Sequence, residues 1–236
     1  MENSLVQKIC RDLAPISDPE YLNQMRRFGI IPRNAWGIKM STLRSYAKQH
    51  QLKHQHELAL QLWDESIHET KLLASIIDNP CEVTPGQMEE WVKDFYSWDI
   101  VDNTIGLFVY TDFARQKALE WVLREPEYEK RAGFVMMVAL AVHDKDAPDQ
   151  DFLDFFPYLK VASCDGRKYV KKAVNWAIRQ IGKRNRSLNH QAILLAEEIR
   201  NIDCKPARWI ASDALRELKS DKVIARLEAK AKKLHL

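Results

Sequence analysis

A chain of 236 residues with 46% hydrophobic and 29% charged residues, and only 7 Gly and 9 Pro, has the composition of a folded, helix-rich protein, which excludes disordered and fibrous classes. The longest apolar run, Ala132 to Val142, is too short to span a bilayer, and MENSLVQKIC lacks the charged-then-apolar layout of a signal peptide, so a cytoplasmic protein with no membrane partner is expected. The net charge of +3 conceals a division: residues 160–236 carry 19 Lys+Arg against 8 Asp+Glu, leaving 17 against 25 in residues 1–159, and a basic last third fits either a polyanion partner or merely soluble basic helices.

Taken in chain order, the apolar residues recur at helical spacing almost throughout, and strand-like alternation is scarce. Helices are predicted over about 3–14, 18–28, 41–50, 55–65, 67–78, 85–96, 98–109, 111–123, 127–143, 149–158, 167–183, 187–201, 206–218 and 221–233. Asn79-Pro80, Glu125-Pro126, Ala147-Pro148 and Lys205-Pro206 fall between these segments, as expected where proline is tolerated in a first turn but not in an interior. ALEWVLRE (118–125) and AVNWAIRQ (173–180) share Ala, Trp and Arg at matching offsets, and ARWIASDALRE (207–217) has a related character. Helical pairs repeating every few tens of residues predict an all-α, HEAT-like α-solenoid with a concave basic face, formed by residues 1–236 as a single repeat domain.

Histidine and cysteine patterns are informative mainly by what they lack. His68-Glu69 opens like a metalloprotease motif, but Leu72 stands where the second histidine belongs, so no metal is expected. Cys10, Cys81, Cys164 and Cys204 contain no CxxC pair, and reduced thiols are the expectation.

Candidate chemistry begins at DFYSWDIVDN (94–103). Trp98 and Asp102 lie one helical turn apart and project to the same side, about 40° from one another, while Ile100, Val101, Thr104, Leu107 and Phe108 supply a separate apolar stripe. Asp99 and Asn103 read as a cap and solvated surface. Arg131 opens the largely apolar RAGFVMMVALAVHD, and a cation near a helix N-terminus opposes the macrodipole, so it should be held by a carboxylate or by a phosphate.

In the 167–183 helix, Val170, Ala173, Val174, Ala177, Ile178 and Ile181 form a buried stripe. Trp176 falls opposite, among Lys168, Lys172, Arg179 and Lys183, and Arg184 continues the ridge in GKRNRSLN. A helical tryptophan is usually core. In this phase it instead suits stacking on a sugar or base while cations hold phosphates; a solvated helix end is the other reading of the ridge.

SWDIVD, KRAGFVMMVALAVHDK and VKKAVNWAIRQIGKRN, in this order, resemble the DNA alkylation repair family of HEAT-like DNA glycosylases, and MRRFGI, WGIKMSTLRSYAK, IHETKLLASIIDNP and ARWIASDALREL extend the likeness over nearly the whole chain. The resemblance implies that Trp98 and Trp176 pack against the deoxyribose of a damaged nucleotide, that Asp102 is the catalytic carboxylate, and that Arg131 contacts the DNA backbone. It implies binding of double-stranded DNA carrying alkylated bases and excision of N-alkylated purines; the cationic face and ridge themselves suggest Lys172, Arg179, Lys183 and Arg184 as further DNA contacts, and a monomer without cofactor is expected. MRRFGI and HETKLLASIIDNP resemble a distinct branch, in which Phe28 stands where active members carry tyrosine and in which DNA binding without excision is the alternative.

Overall fold

The computed structural model describes residues 4–234, and every regular element among them is helical. The chain forms two compact units, Met1–Phe113 and Ala114–Leu236. In the first, α1 (Leu5–Leu13) runs into a 3₁₀ turn (Ala14–Ile16), followed by α2 (Pro19–Arg27), α3 (Met40–Gln49), α4 (His56–Asp64), α5 (His68–Ile77), α6 (Pro85–Lys93) and α7 (Trp98–Phe108). In the second, α8 (Ala114–Trp121), α9 (Glu127–His143), α10 (Asp149–Leu153), α11 (Phe156–Ala162), α12 (Lys168–Ile181), α13 (Arg186–Arg200), α14 (Lys205–Leu218) and α15 (Asp221–Leu234) complete the chain. No helix among the described residues is long and apolar enough to cross a membrane.

Local chemistry accounts for most boundaries. Asp18 caps α2 by accepting from the amides of Glu20 and Tyr21 at 2.9 and 3.0 Å, with Pro19 in the first turn. Thr84 and Asn185 cap α6 and α13 in the same way. The helix expected over 149–158 is instead two, α10 and α11, because Pro157 lies in the first turn of α11 and cannot continue the preceding helix.

In the first unit α5 packs against α3, α4 and α7; in the second α9 packs against α8 and α12, and α14 against α12 and α13. The predicted stripe of α12, Val170 through Ile181, is wholly buried against these neighbours. Gly133 permits the close approach of α9 to α8: a Cβ there would stand 2.6 Å from the Val122 amide nitrogen and 2.8 Å from the Ala118 carbonyl oxygen.

The expectation of reduced thiols fails for one pair. Cys164, just beyond α11, is disulfide-bonded to Cys204, the N-cap residue of α14, with the two Cα atoms 5.9 Å apart. Forty residues of sequence separate them, so adjacency comes from packing and not from any local motif. Cys10 and Cys81 are free thiols.

Candidate nucleic-acid interface

In the first unit the candidate side chains belong to the N-terminal turns of α7. Trp98 and Asp102 are both half-buried, one turn apart, as the helical phase requires. The Trp98 indole Nε1–H donates to the Phe28 carbonyl at 3.1 Å, which fixes the ring against the end of α2. The Phe28 side chain itself is 66% exposed, beside the exposed Arg26 and Arg27.

Asp99 is not the solvated residue expected from its phase. Its Oδ2 accepts from His68 Nε2 at 2.9 Å and its Oδ1 from the Ser97 hydroxyl at 2.6 Å, while Asn103 Nδ2 donates to the Asp99 carbonyl at 2.8 Å. His68 is 1% exposed, and its Nδ1 lies 2.8 Å from the Tyr96 hydroxyl. Burial, followed by the charges of Asp99, Glu69 and Asp94, pushes the Tyr96 phenol above its ordinary pKa, so Tyr96 stays protonated and can donate to Nδ1. With Nδ1 facing the Tyr96 hydroxyl and Nε2 the Asp99 carboxylate, both ring nitrogens have a partner. The network ties Asp99 to α5, while Asp102 shares a side of α7 with Trp98.

Neighbouring residues of α5 have structural partners as well. Glu69, fully buried, accepts the backbone amides of Trp36, Gly37 and Ile38 at 2.9, 2.8 and 3.1 Å. Gly37 adopts φ +81°, and a Cβ there would meet the Asp18 carbonyl oxygen at 2.3 Å, so only glycine fits the turn that Glu69 holds. Lys71, 7% exposed, pairs with Asp94 at 2.7 Å and lies 4.4 Å from the centroid of Trp63, which stacks on Trp91. His68, Glu69 and Lys71 thus hold the frame of the first unit.

In the second unit Trp176 is half-buried on α12, between the buried stripe and the polar face, while Lys172 is exposed. Tyr169, two turns before Trp176 and about 20° from it in helical phase, stacks on Tyr128 of α9 with ring centroids 5.6 Å apart. Sequence reasoning missed this aromatic pair because its partners come from separate helices.

Three cations read from the sequence as phosphate contacts already have protein partners. Arg179 and Lys183 both reach the carboxylate of Glu217 on α14, and Arg179 also lies 3.8 Å from Asp213. Burial alone would raise the Glu217 pKa, but the hydrogen bonds and charges of Lys183 and Arg179 outweigh it and hold this carboxyl below its usual range. Arg184 donates to the carbonyls of Ala141, Asp144 and Ala147, closing the end of α9, with its guanidinium 4.0 Å from the Phe152 ring centroid. Arg184 is thus half-buried and tied to the backbone at the end of α9.

Arg131 is also not on an open face. It is 5% exposed and donates to the Tyr169 carbonyl at 3.0 Å, while Glu127 accepts the Tyr169 amide at 3.0 Å. One of its partners is thus a carbonyl from the first turn of α12.

With this geometry in hand, the sequence match is decisive for kinship. Residues 9–218 match the family described as DNA alkylation repair enzyme. The chain belongs to that family. No curated protein matches it. Among solved structures it is similar to one from a new family of proteins related to the HEAT-like repeat DNA glycosylases with affinity for branched DNA structures, at 16% identity and a TM-score of 0.75, covering 90% of this chain and 95% of that one. The fold of this DNA alkylation repair family member is accordingly HEAT-like.

Proposed function

We propose that the protein is a DNA-alkylpurine N-glycosylase that binds duplex DNA and hydrolyses the bond between deoxyribose and an N-alkylated purine. The observation that carries this reading is the pairing on α7 of Trp98, its indole held by the Phe28 carbonyl, with Asp102, half-buried one turn further on. Alkylation at N3 or N7 makes the purine cationic, so it departs as a neutral base and takes the glycosidic electron pair. Positive charge then grows on the sugar, water adds at C1′, and an abasic site remains. Asp102 stabilises that charge electrostatically and orients the water, and the face of Trp98 presents a negative quadrupole to the sugar. A cationic leaving group needs no strong general acid. Phosphate binding falls to Lys172 and the Arg179–Lys183 face, with Tyr169 and Tyr128 extending the aromatic surface.

The test is single-turnover release of methylated base from N-methylated duplex DNA. Asp102→Asn should lower the rate by a factor on the order of 100 or more, while DNA affinity stays equal or rises as a charge that repels phosphates is removed. Unchanged excision by the variant would remove Asp102 from the mechanism. A second reading, binding of branched or distorted DNA without excision, is favoured by the described affinity of the similar solved structure and by the pairing of Arg179 and Lys183 with Glu217. Wild-type protein that binds DNA but releases no base from several alkylated substrates would establish that reading instead.

A further inference from the structure

The second unit contains a pocket of about 720 Å³ bounded by the ends of α9, α13 and α15, a size suited to a small organic ligand. Its charge is one-sided: Lys145, Arg184, Arg186 and Lys230 line it, against the single carboxylate of Asp149. Ala141, Ala147, Leu227 and Ala231 supply its apolar wall, and Asn185 and Ser187 complete the lining.

Several of these polar groups have structural partners, and those partners show which donors are left. Asp149 accepts from Asn185 Nδ2 at 2.6 Å, Arg186 pairs with Glu228 at 2.9 Å, and Arg184 is held by its three carbonyls. Lys230 Nζ donates to the Arg184 carbonyl at 3.1 Å and Lys145 Nζ to the Val142 carbonyl. Each ammonium has three N–H groups, so both keep donors for a ligand. Burial, followed by the like charges of Arg226, Lys145 and Arg184, pulls the Lys230 pKa below its ordinary value, and the second of these, the repulsion among cations, is what an anion would relieve. The pocket also includes the first turn of α13, where the Asn185 side chain caps the Leu188 amide and the amides of Arg186 and Ser187 precede the intrahelical ladder.

We propose that this pocket binds a phosphomonoester of nucleotide size, with the phosphate on Lys145, Lys230 and the first turn of α13, and the organic part on the alanine and leucine wall. Two sources carry that chemistry: a free mononucleotide, and the phosphorylated end of a DNA strand. The site is independent of base excision, since it uses neither Asp102 nor either tryptophan.

The full chain would be titrated with deoxyadenosine 5′-monophosphate and with deoxyadenosine. Saturable binding of the nucleotide, at least tenfold tighter than of the nucleoside, is expected. The double variant Lys145→Ala/Lys230→Ala should weaken nucleotide binding by tenfold or more, and Lys145→Met/Lys230→Met, which keeps the apolar stems, should do the same at an unchanged melting temperature. Hairpin duplexes with a 5′-phosphate or a 5′-hydroxyl end then identify the source. Competition by the phosphorylated end alone supports a DNA terminus, and equal failure of both hairpins to displace a bound nucleotide supports the free ligand. The proposal is overturned if neither the nucleotide nor the phosphorylated hairpin binds saturably, or if the folded double variants bind the nucleotide as wild type does.

Discussion

The two units use charge in opposite ways. Around α5 the charged groups lie inside: Glu69 and Lys71 are buried, and each is matched to fixed partners of its own unit. Around α12 and α14 the cations Arg179 and Lys183 stay partly exposed, and Glu217 neutralises both at once. A buried charge of the first kind is a requirement of folding, because an uncompensated partner left behind cannot be solvated. A surface charge of the second kind costs little to remove and is available to exchange its partner for another anion. Residue type alone does not separate these cases; position in the packing does.

The largest effect expected from breaking this contrast is at Glu69. Glu69→Ala strips an acceptor from three amides near the buried turn at Gly37, and should lower unfolding free energy by about 4 kcal/mol, read from denaturant titration. A loss below about 1 kcal/mol would show that water readily replaces the carboxylate. Next comes Arg184→Ala, which releases the carbonyls at the end of α9 and should cost about 2 kcal/mol of stability. A purely electrostatic surface role would instead leave the melting temperature unchanged and reduce only DNA affinity.

The smallest change in folding, and the sharpest test of the second unit, is Glu217→Gln. Freed from their shared carboxylate, Arg179 and Lys183 should bind duplex DNA more tightly, by roughly threefold to tenfold, with a salt slope steeper by about one or two phosphate contacts. The same variant has a signature in acid. The folded-state pKa of Glu217 is lowered, so its ion pairs contribute stability above the unfolded carboxyl pKa, and that contribution disappears as pH falls through the folded value. Thermal melts from neutral pH downward should therefore show a shallower acid-side decline for Glu217→Gln than for wild type.

Helical periodicity carried the fold far because α12 and α7 each bury a face of regular phase; the buried residues of α12 are those that spacing selects. It also located Trp98, Asp102 and Trp176 on partly exposed helix flanks. Phase could not reveal which neighbour meets a polar side chain. Asp99 was legible as an acid at a helix start, but its inward turn depends on His68, 31 residues away in the chain. Arg184 and Arg186 look alike in sequence, yet one closes α9 through backbone carbonyls and the other pairs with Glu228 of α15. The Cys164–Cys204 bond and the Tyr128–Tyr169 stack were invisible for the same reason, since both arise where separate helices meet.

The bond from Trp98 to residue 28 bears on how such a surface can diversify. It uses the main-chain carbonyl of Phe28, while the phenyl ring stands mostly in solvent. The orientation of the indole is thereby insulated from the chemical identity of the side chain at position 28. Phenylalanine, tyrosine or a polar residue can be exchanged there without unseating the tryptophan, so the lineage is free to alter what this corner touches while the aromatic wall beside Asp102 keeps its place.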